Sequence, residues 1–147
     1  MRSNLLAAVL SVLVIGNGAF LGAGTAQADS ATESASDIRL VIENQIDAFR
    51  RDDGVEAFSY ASPSVQRRFR SADTFMQMVQ TGYPQVYRPR AVEFQGLDIE
   101  TGRAVQRLFF IGPDGAGALA LYFMEQQRDG SWKIDGVQLR RLRDTAT

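Results

Sequence analysis

The chain has 147 residues, 16 basic against 17 acidic side chains for a net charge of −1, and neither histidine nor cysteine. That length fits one domain, and the charge balance speaks against nucleic acid as the main partner. The missing residue types exclude zinc sites of the usual nitrogen and sulfur kind, Ser-His and Cys-His nucleophile pairs, and disulfides. No cofactor or metal is expected, and any acid–base work falls to Asp, Glu, Tyr or the single Lys133.

The N-terminal stretch is set aside before the fold is read. Arg2 precedes an apolar run from Leu5 to Ile15 broken only by Ser11, then Gly16, Asn17 and Gly18, and the segment ends AQA before Asp29. Small residues at Ala26 and Ala28 suit a signal-peptidase site, so residues 1–28 read as a signal peptide and the mature chain, of about 119 residues, as secreted and periplasmic. The alternative is an uncleaved membrane anchor, which the run is long enough to supply. No stable anchor is expected once the signal is removed.

Asp29 to Ser36, DSATESAS, is small and polar without an apolar period and reads as a flexible leader. Ser36 or Asp37 then caps a helix in which Ile38, Val41, Ile42, Gln45, Ile46 and Phe49 recur at three- and four-residue steps. Asp52, Asp53 and Gly54 end it. A second helical piece covers Val55 to Tyr60 and restarts at Ser62 as a cap with Pro63 in the first helical position. Val65 and Phe69 face inward. Ser71 to Asp73 caps a third segment with Phe75, Met76, Met78 and Val79 as core or rim residues, and Gly82 is expected to terminate it.

After Gly82 the period becomes two. Ala91 to Glu100 alternates, but its apolar phase slips by one across Gln95 and Gly96, which predicts a β-bulge. The turn ETGR leads to a strand over Ala104 to Ile111, with Phe109 and Phe110 on opposite faces. GPDGAG is a hairpin turn, Ala118 to Gln127 is the next strand, and SWKIDGVQLRRL is the last, with a second phase slip at Asp135 and Gly136. Three helical segments followed by four strands on short turns give an α+β fold, helices packed on a curved antiparallel sheet. The domain spans 37–142 and a tail 143–147; RRLR near the end reads as solvated.

The layout resembles the cone-shaped nuclear-transport-factor-2-like superfamily, in which helices lead and a curved antiparallel sheet encloses a pocket. QRDGSWKIDGVQL is similar to the closing hairpin of those folds. More closely, IENQIDAFRRDD, AFSYASPSVQRRF, FMQMVQTGYPQVYRPRAVEF, AVQRLFFIGPDG and DGSWKIDGVQL together resemble the exported bacterial family of domain of unknown function 4864. That resemblance implies a fold and a location. It implies no reaction, because superfamily membership does not carry function.

Several residues are candidates for a site. TGYPQVYRPR joins the last helix to the first strand, and Pro84 and Pro89 force the residues before them out of helical geometry. It is read first as a stiff crossover. Its functional reading makes Tyr83, Tyr87, Arg88 and Arg90 a pocket rim suited to an anionic group. Gln106, Tyr122 and Glu125 interrupt apolar strands and are candidate pocket-lining residues if they face the helices; the alternative is an outward face or a dimer interface. Trp132 reads as core. Asp135 is either a buried carboxylate beside the bulge or ordinary turn chemistry. Gly112, Gly115 and Gly117 lack the strand-loop-helix context of a phosphate loop.

The expected function is therefore a non-catalytic exported domain that binds a small, partly apolar or anionic ligand, or presents its sheet to a partner. Homodimerisation through the outer sheet face belongs to that expectation. The rival is an enzyme similar to the ketosteroid isomerases and dehydratases of the same superfamily, with Glu125 or Asp135 acting beside Tyr122. A third reading is a structural partner in an envelope complex.

Overall fold

The computed structural model describes residues 23–142. Five helices lead, α1 (Ala23–Arg50), α2 (Gly54–Ser59), α3 (Pro63–Phe69), α4 (Ala72–Gly82) and α5 (Pro84–Tyr87). Four strands follow, β1 (Ala91–Glu100), β2 (Arg103–Ile111), β3 (Gly117–Gln126) and β4 (Trp132–Arg141). The strands form one antiparallel sheet in the order β1-β2-β3-β4. Its hairpin turns each hold one glycine at positive φ, Gly102, Gly115 and Gly130. The chain is thus α+β. Among the described residues no helix is long and apolar enough to cross a membrane. The apolar run at 5–15 and the tail at 143–147 lie outside the described residues.

The expected face of α1 is the buried one: Ile38, Ile42, Gln45, Ile46 and Phe49 are all inside. The helix starts well before Ser36, however, and takes in 29–36, the stretch expected as a flexible leader. Four alanines between Ala23 and Ala31 favour helix. Thr32 and Ser36 do not cap; their hydroxyls donate to the carbonyls of Ala28 (2.9 Å) and Thr32 (3.1 Å), one turn back. At its other end α1 closes with Asp52 in the left-handed region (φ 56). The Asp52 N–H donates to Phe49 O (3.1 Å) and the Asp53 N–H to Ala48 O (2.9 Å), a Schellman ending with aspartate where glycine is usual.

The caps of α2, α3 and α4 are Asp53, Ser62 and Ser71, each accepting from a backbone N–H of its own first turn. Gly82 does not stop α4 by adopting positive φ. Tyr83 stops it, because Pro84 drives the preceding residue to φ −133, ψ 52. Arg88 before Pro89 does likewise at φ −136, ψ 62. Between these breaks Pro84 starts a further single turn, α5, within the stretch expected as a crossover.

Both predicted bulges are present. On β1 the register moves between Phe94 and Leu97, so Gln95 and Gly96 together oppose Arg107. On β4 Ile134 pairs with Met124 and Gly136 with Phe123, leaving Asp135 as the extra residue. RRLR is strand as far as Arg141, although Arg140 and Arg141 are exposed as expected of solvated residues. The helix-covered face carries the core: Leu108, Phe110, Tyr122, Met124, Trp132 and Ile134 meet Ile38, Ile42 and Phe49. Phe75 of α4 gathers Phe49, Phe58 and Phe69 around it, with ring centroids 6.0, 5.2 and 5.8 Å away.

Candidate functional site

The site follows from how α3 is tied to the sheet. Tyr60 O accepts from the Ile134 N–H (2.9 Å) and the Ser62 N–H donates to Ile134 O (2.8 Å), so the α2–α3 link runs beside β4 as a short parallel bridge. That places Ser62, the cap of α3, beside the Asp135 bulge. Ser62 Oγ and Ser64 Oγ donate to Asp135 Oδ1 at 2.6 and 2.7 Å. The N-terminus of α3 is therefore pinned to β4, while Phe69 near its other end packs on Phe75 of α4, ring centroids 5.8 Å apart.

The gap left behind is a cavity of about 380 Å³, lined by Gln45 and Phe49 of α1, Val65, Arg68 and Phe69 of α3, Phe75, Met78 and Val79 of α4, Tyr83, Val86, and Ile134 to Val137 of β4. Its size is that of a small-ligand site, and its walls are mostly apolar with a few polar groups. Three of those groups are already engaged. Gln45 Nε2 donates to Ala57 O (3.1 Å), Tyr83 Oη donates to Val137 O (3.3 Å), and Asp135 accepts the two serines. Arg68 is different. It is exposed, at the open side of the cavity; its guanidinium stands 5.9 Å from the Phe69 ring centroid and has no hydrogen bond or ion pair among the described residues.

The candidates from the sequence scatter. Tyr83 lines the cavity. Tyr87 and Arg88 do not; they grip the end of α1. Arg88 Nη1 donates to Arg50 O (2.6 Å), Arg88 Nη2 to Asp52 Oδ2 (2.7 Å), and Tyr87 Oη donates to Asp52 Oδ1. A cation on the last carbonyls of a helix is electrostatically favourable. The Tyr87 hydroxyl, with Arg88 after it, holds the Asp52 carboxyl below its usual value. TGYPQVYRPR is therefore a latch between α1 and the sheet, with one tyrosine turned into the cavity. Arg90 is exposed, and its N–H opens the β1 pairing by donating to Ile111 O (2.8 Å).

Gln106 faces the helices but serves the β1 bulge: its Nε2 donates to Gln95 O (3.0 Å) and Gly96 O (3.3 Å). Tyr122 is fully buried without lining the cavity, and burial pushes its phenol well above the usual range. Glu125 leaves the opposite face of β3 from Tyr122, so the two are not brought together. The cavity residues that sequence reading missed as a group are Arg68, with the Ser62–Ser64–Asp135 cluster beside it. The signal available was small: a cap serine before a proline, and an aspartate at a phase slip.

The family model described as domain of unknown function (DUF4864) matches residues 31–147. The chain belongs to the DUF4864 family. No curated protein matches it. In this DUF4864 chain the matched span runs from within α1 past the end of β4, so every residue that lines the cavity lies inside it. Among the described residues, no cluster of three carboxylates could hold a metal ion. What the cavity can do chemically is enclose an apolar body and offer one unpaired guanidinium.

Proposed function

We propose that this DUF4864 domain binds a small, largely apolar molecule bearing one anionic group, with the apolar body between α3, α4 and β4 and the anion at Arg68. The observation that carries the reading is the pairing of an apolar cavity with an exposed arginine on its rim that makes no ion pair among the described residues, while the neighbouring carboxylate, Asp135, is occupied by two serine hydroxyls. Arg presents a planar fork of donors matched to carboxylate, sulfonate or phosphate. Helices followed by a sheet bent at two bulges support placing the domain among the nuclear-transport-factor-2-like cones, with this cavity as the cone's pocket. The apolar run at Leu5–Ile15 and the AQA ending support export to the periplasm.

The test uses 1-anilinonaphthalene-8-sulfonate, an aromatic body with one sulfonate, titrated into the folded protein by fluorescence. Val65→Trp fills the cavity and abolishes binding. Arg68→Ala leaves the cavity open and weakens binding about two- to fivefold, the scale of one solvent-facing charge contact. Val55→Lys, at an exposed position on α2 outside the cavity lining, leaves it unchanged. Binding that ignores Val65→Trp refutes the reading.

A further inference from the structure

The sheet face turned away from the helices carries an ordered pattern. Its middle is apolar: Val105, Phe109 and Ile111 on β2, and Leu119, Leu121 and Phe123 on β3, all half-buried. The glycines keep it low. A Cβ on Gly117 would lie 3.0 Å from the Phe109 ring, so that ring reaches over β3 where the glycine leaves room, and one on Gly136 would lie in ordinary contact, 3.9 Å, with the Phe123 ring. Arg107, the one cation in the middle, is drawn aside over Gly96 by its ion pair with Asp98 (2.7 Å).

The flanks are charged with opposite signs. Read across the strands from β1 to β4, one row is Glu93, Phe109, Leu119, Arg140, and another is Glu100, Arg103, Glu125, Lys133. Read backwards, each row has every charge inverted. Glu93, Glu100, Arg103 and Arg140 have no ion pair among the described residues, although Arg103 sits beside Glu100 and Glu125 on the sheet. Two copies meeting face to face about a two-fold axis parallel to the strands place β1 over the partner's β4 and β2 over its β3. Glu93 then faces Arg140 of the partner subunit, and Arg103 faces Glu125 of the partner subunit. The apolar centres coincide. A two-fold axis perpendicular to the strands instead stacks the acidic β1 on another acidic β1. Like charges so placed repel.

We infer that this face is the self-association surface of the protein, an isologous dimer with its two-fold axis along the strands. Face-packed sheets cross at about 30°, which keeps β1 over β4 of the other copy. Four strands about 4.8 Å apart and about 30 Å long give a planar footprint of roughly 600 Å² per copy. Accessible area exceeds the planar figure, so the face approaches the standard interface of about 800 Å² per partner. The surface lies across the sheet from the cavity, so this inference and the ligand reading stand or fall separately.

Sedimentation velocity on the purified protein at physiological salt tests it. The expected result is a dimer. Leu121→Lys makes it monomeric, and Val55→Lys, at a 77% exposed position on α2, leaves it dimeric. Glu93→Arg and Arg140→Glu each weaken association by about tenfold or more, and the double swap restores it, because each new arginine faces a new glutamate. These two are surface changes, so they read the interface even if Leu121→Lys misfolds. A monomer at about 100 μM overturns the inference and hands the face to another occupant, such as residues 1–22 or a different protein. A dimer indifferent to both charge swaps overturns it too.

Discussion

Tyr122→Phe is expected to stabilise the protein. Tyr122 has 0% exposure, its ring centroid is 6.4 Å from that of Phe110, and its hydroxyl finds no hydrogen-bond partner among the described residues. A buried polar group left unpaired costs about 1–3 kcal/mol. Deleting one oxygen forfeits a handful of dispersion contacts of about 0.1–0.2 kcal/mol each, less than about 1 kcal/mol together. The difference favours phenylalanine by about 0.5–2 kcal/mol, read as a higher urea midpoint with unchanged slope at pH 7. A second arm comes from proton linkage. Burial raises the folded-state pKa of the phenol above the ordinary 10.0. Tyr122 therefore ionises more readily in the unfolded chain, and wild-type stability is intact below pH 10 and falls as pH rises beyond it. At pH 11 the gap between the variant and wild type should widen by about 1.4 kcal/mol. A loss of more than about 1 kcal/mol in the variant at pH 7 refutes the reasoning, because it would mean the hydroxyl makes a native hydrogen bond.

Two further outcomes test other parts of the structure. Trp132→Ala empties a site only 3% exposed and should cost about 3–5 kcal/mol, toward the lower end because the unpaired indole N–H leaves with the ring; a denaturant melt losing under 1 kcal/mol contradicts this. Tyr87→Phe removes the leading cause of the depressed Asp52 pKa, so the carboxyl resonance should titrate closer to the ordinary 3.8 than in wild type. The depressed value means that the latch supports the fold above that pH and releases as pH falls through the folded-state value, which makes the variant's stability less sensitive to acid. An unchanged Asp52 titration counts against the latch.

The sheet was legible because each of its signals is local. Period-two alternation sets a strand's faces, and a phase slip beside glycine marks a bulge, as at Gly96 and Gly136. The caps of α3 and α4, Ser62 and Ser71, were legible for the same reason; Asp53, expected only to end α1, also caps α2. The long start of α1 was not, because serine and threonine bonded to carbonyls one turn back look in sequence like caps and leaders. Nor was α5, because Pro84 both ends one helix and begins another. The cavity was hardest to see. Ser62 and Asp135 lie 73 residues apart and meet only because the α2–α3 link docks on β4. Arg68 differs from the other exposed, unpaired arginines only by its place on the cavity lining, which no local signal in the sequence marks. Arg88 shows the converse: a strong sequence candidate for gripping a ligand spends its donors on Arg50 and Asp52.

The bulge at Gln95 and Gly96 also governs what the sheet does not become. β1 is the border strand of the order β1-β2-β3-β4, and its unpaired N–H and C=O groups would otherwise be a template for another chain to extend. With two residues opposing Arg107, the spacing of those groups is broken at the middle of the strand. Glu93, Asp98 and Glu100 place a negative charge on either side of the break. A second copy presenting its own β1 edge meets a bent row of donors and a like-charged border, so β1-to-β1 edge pairing is disfavoured.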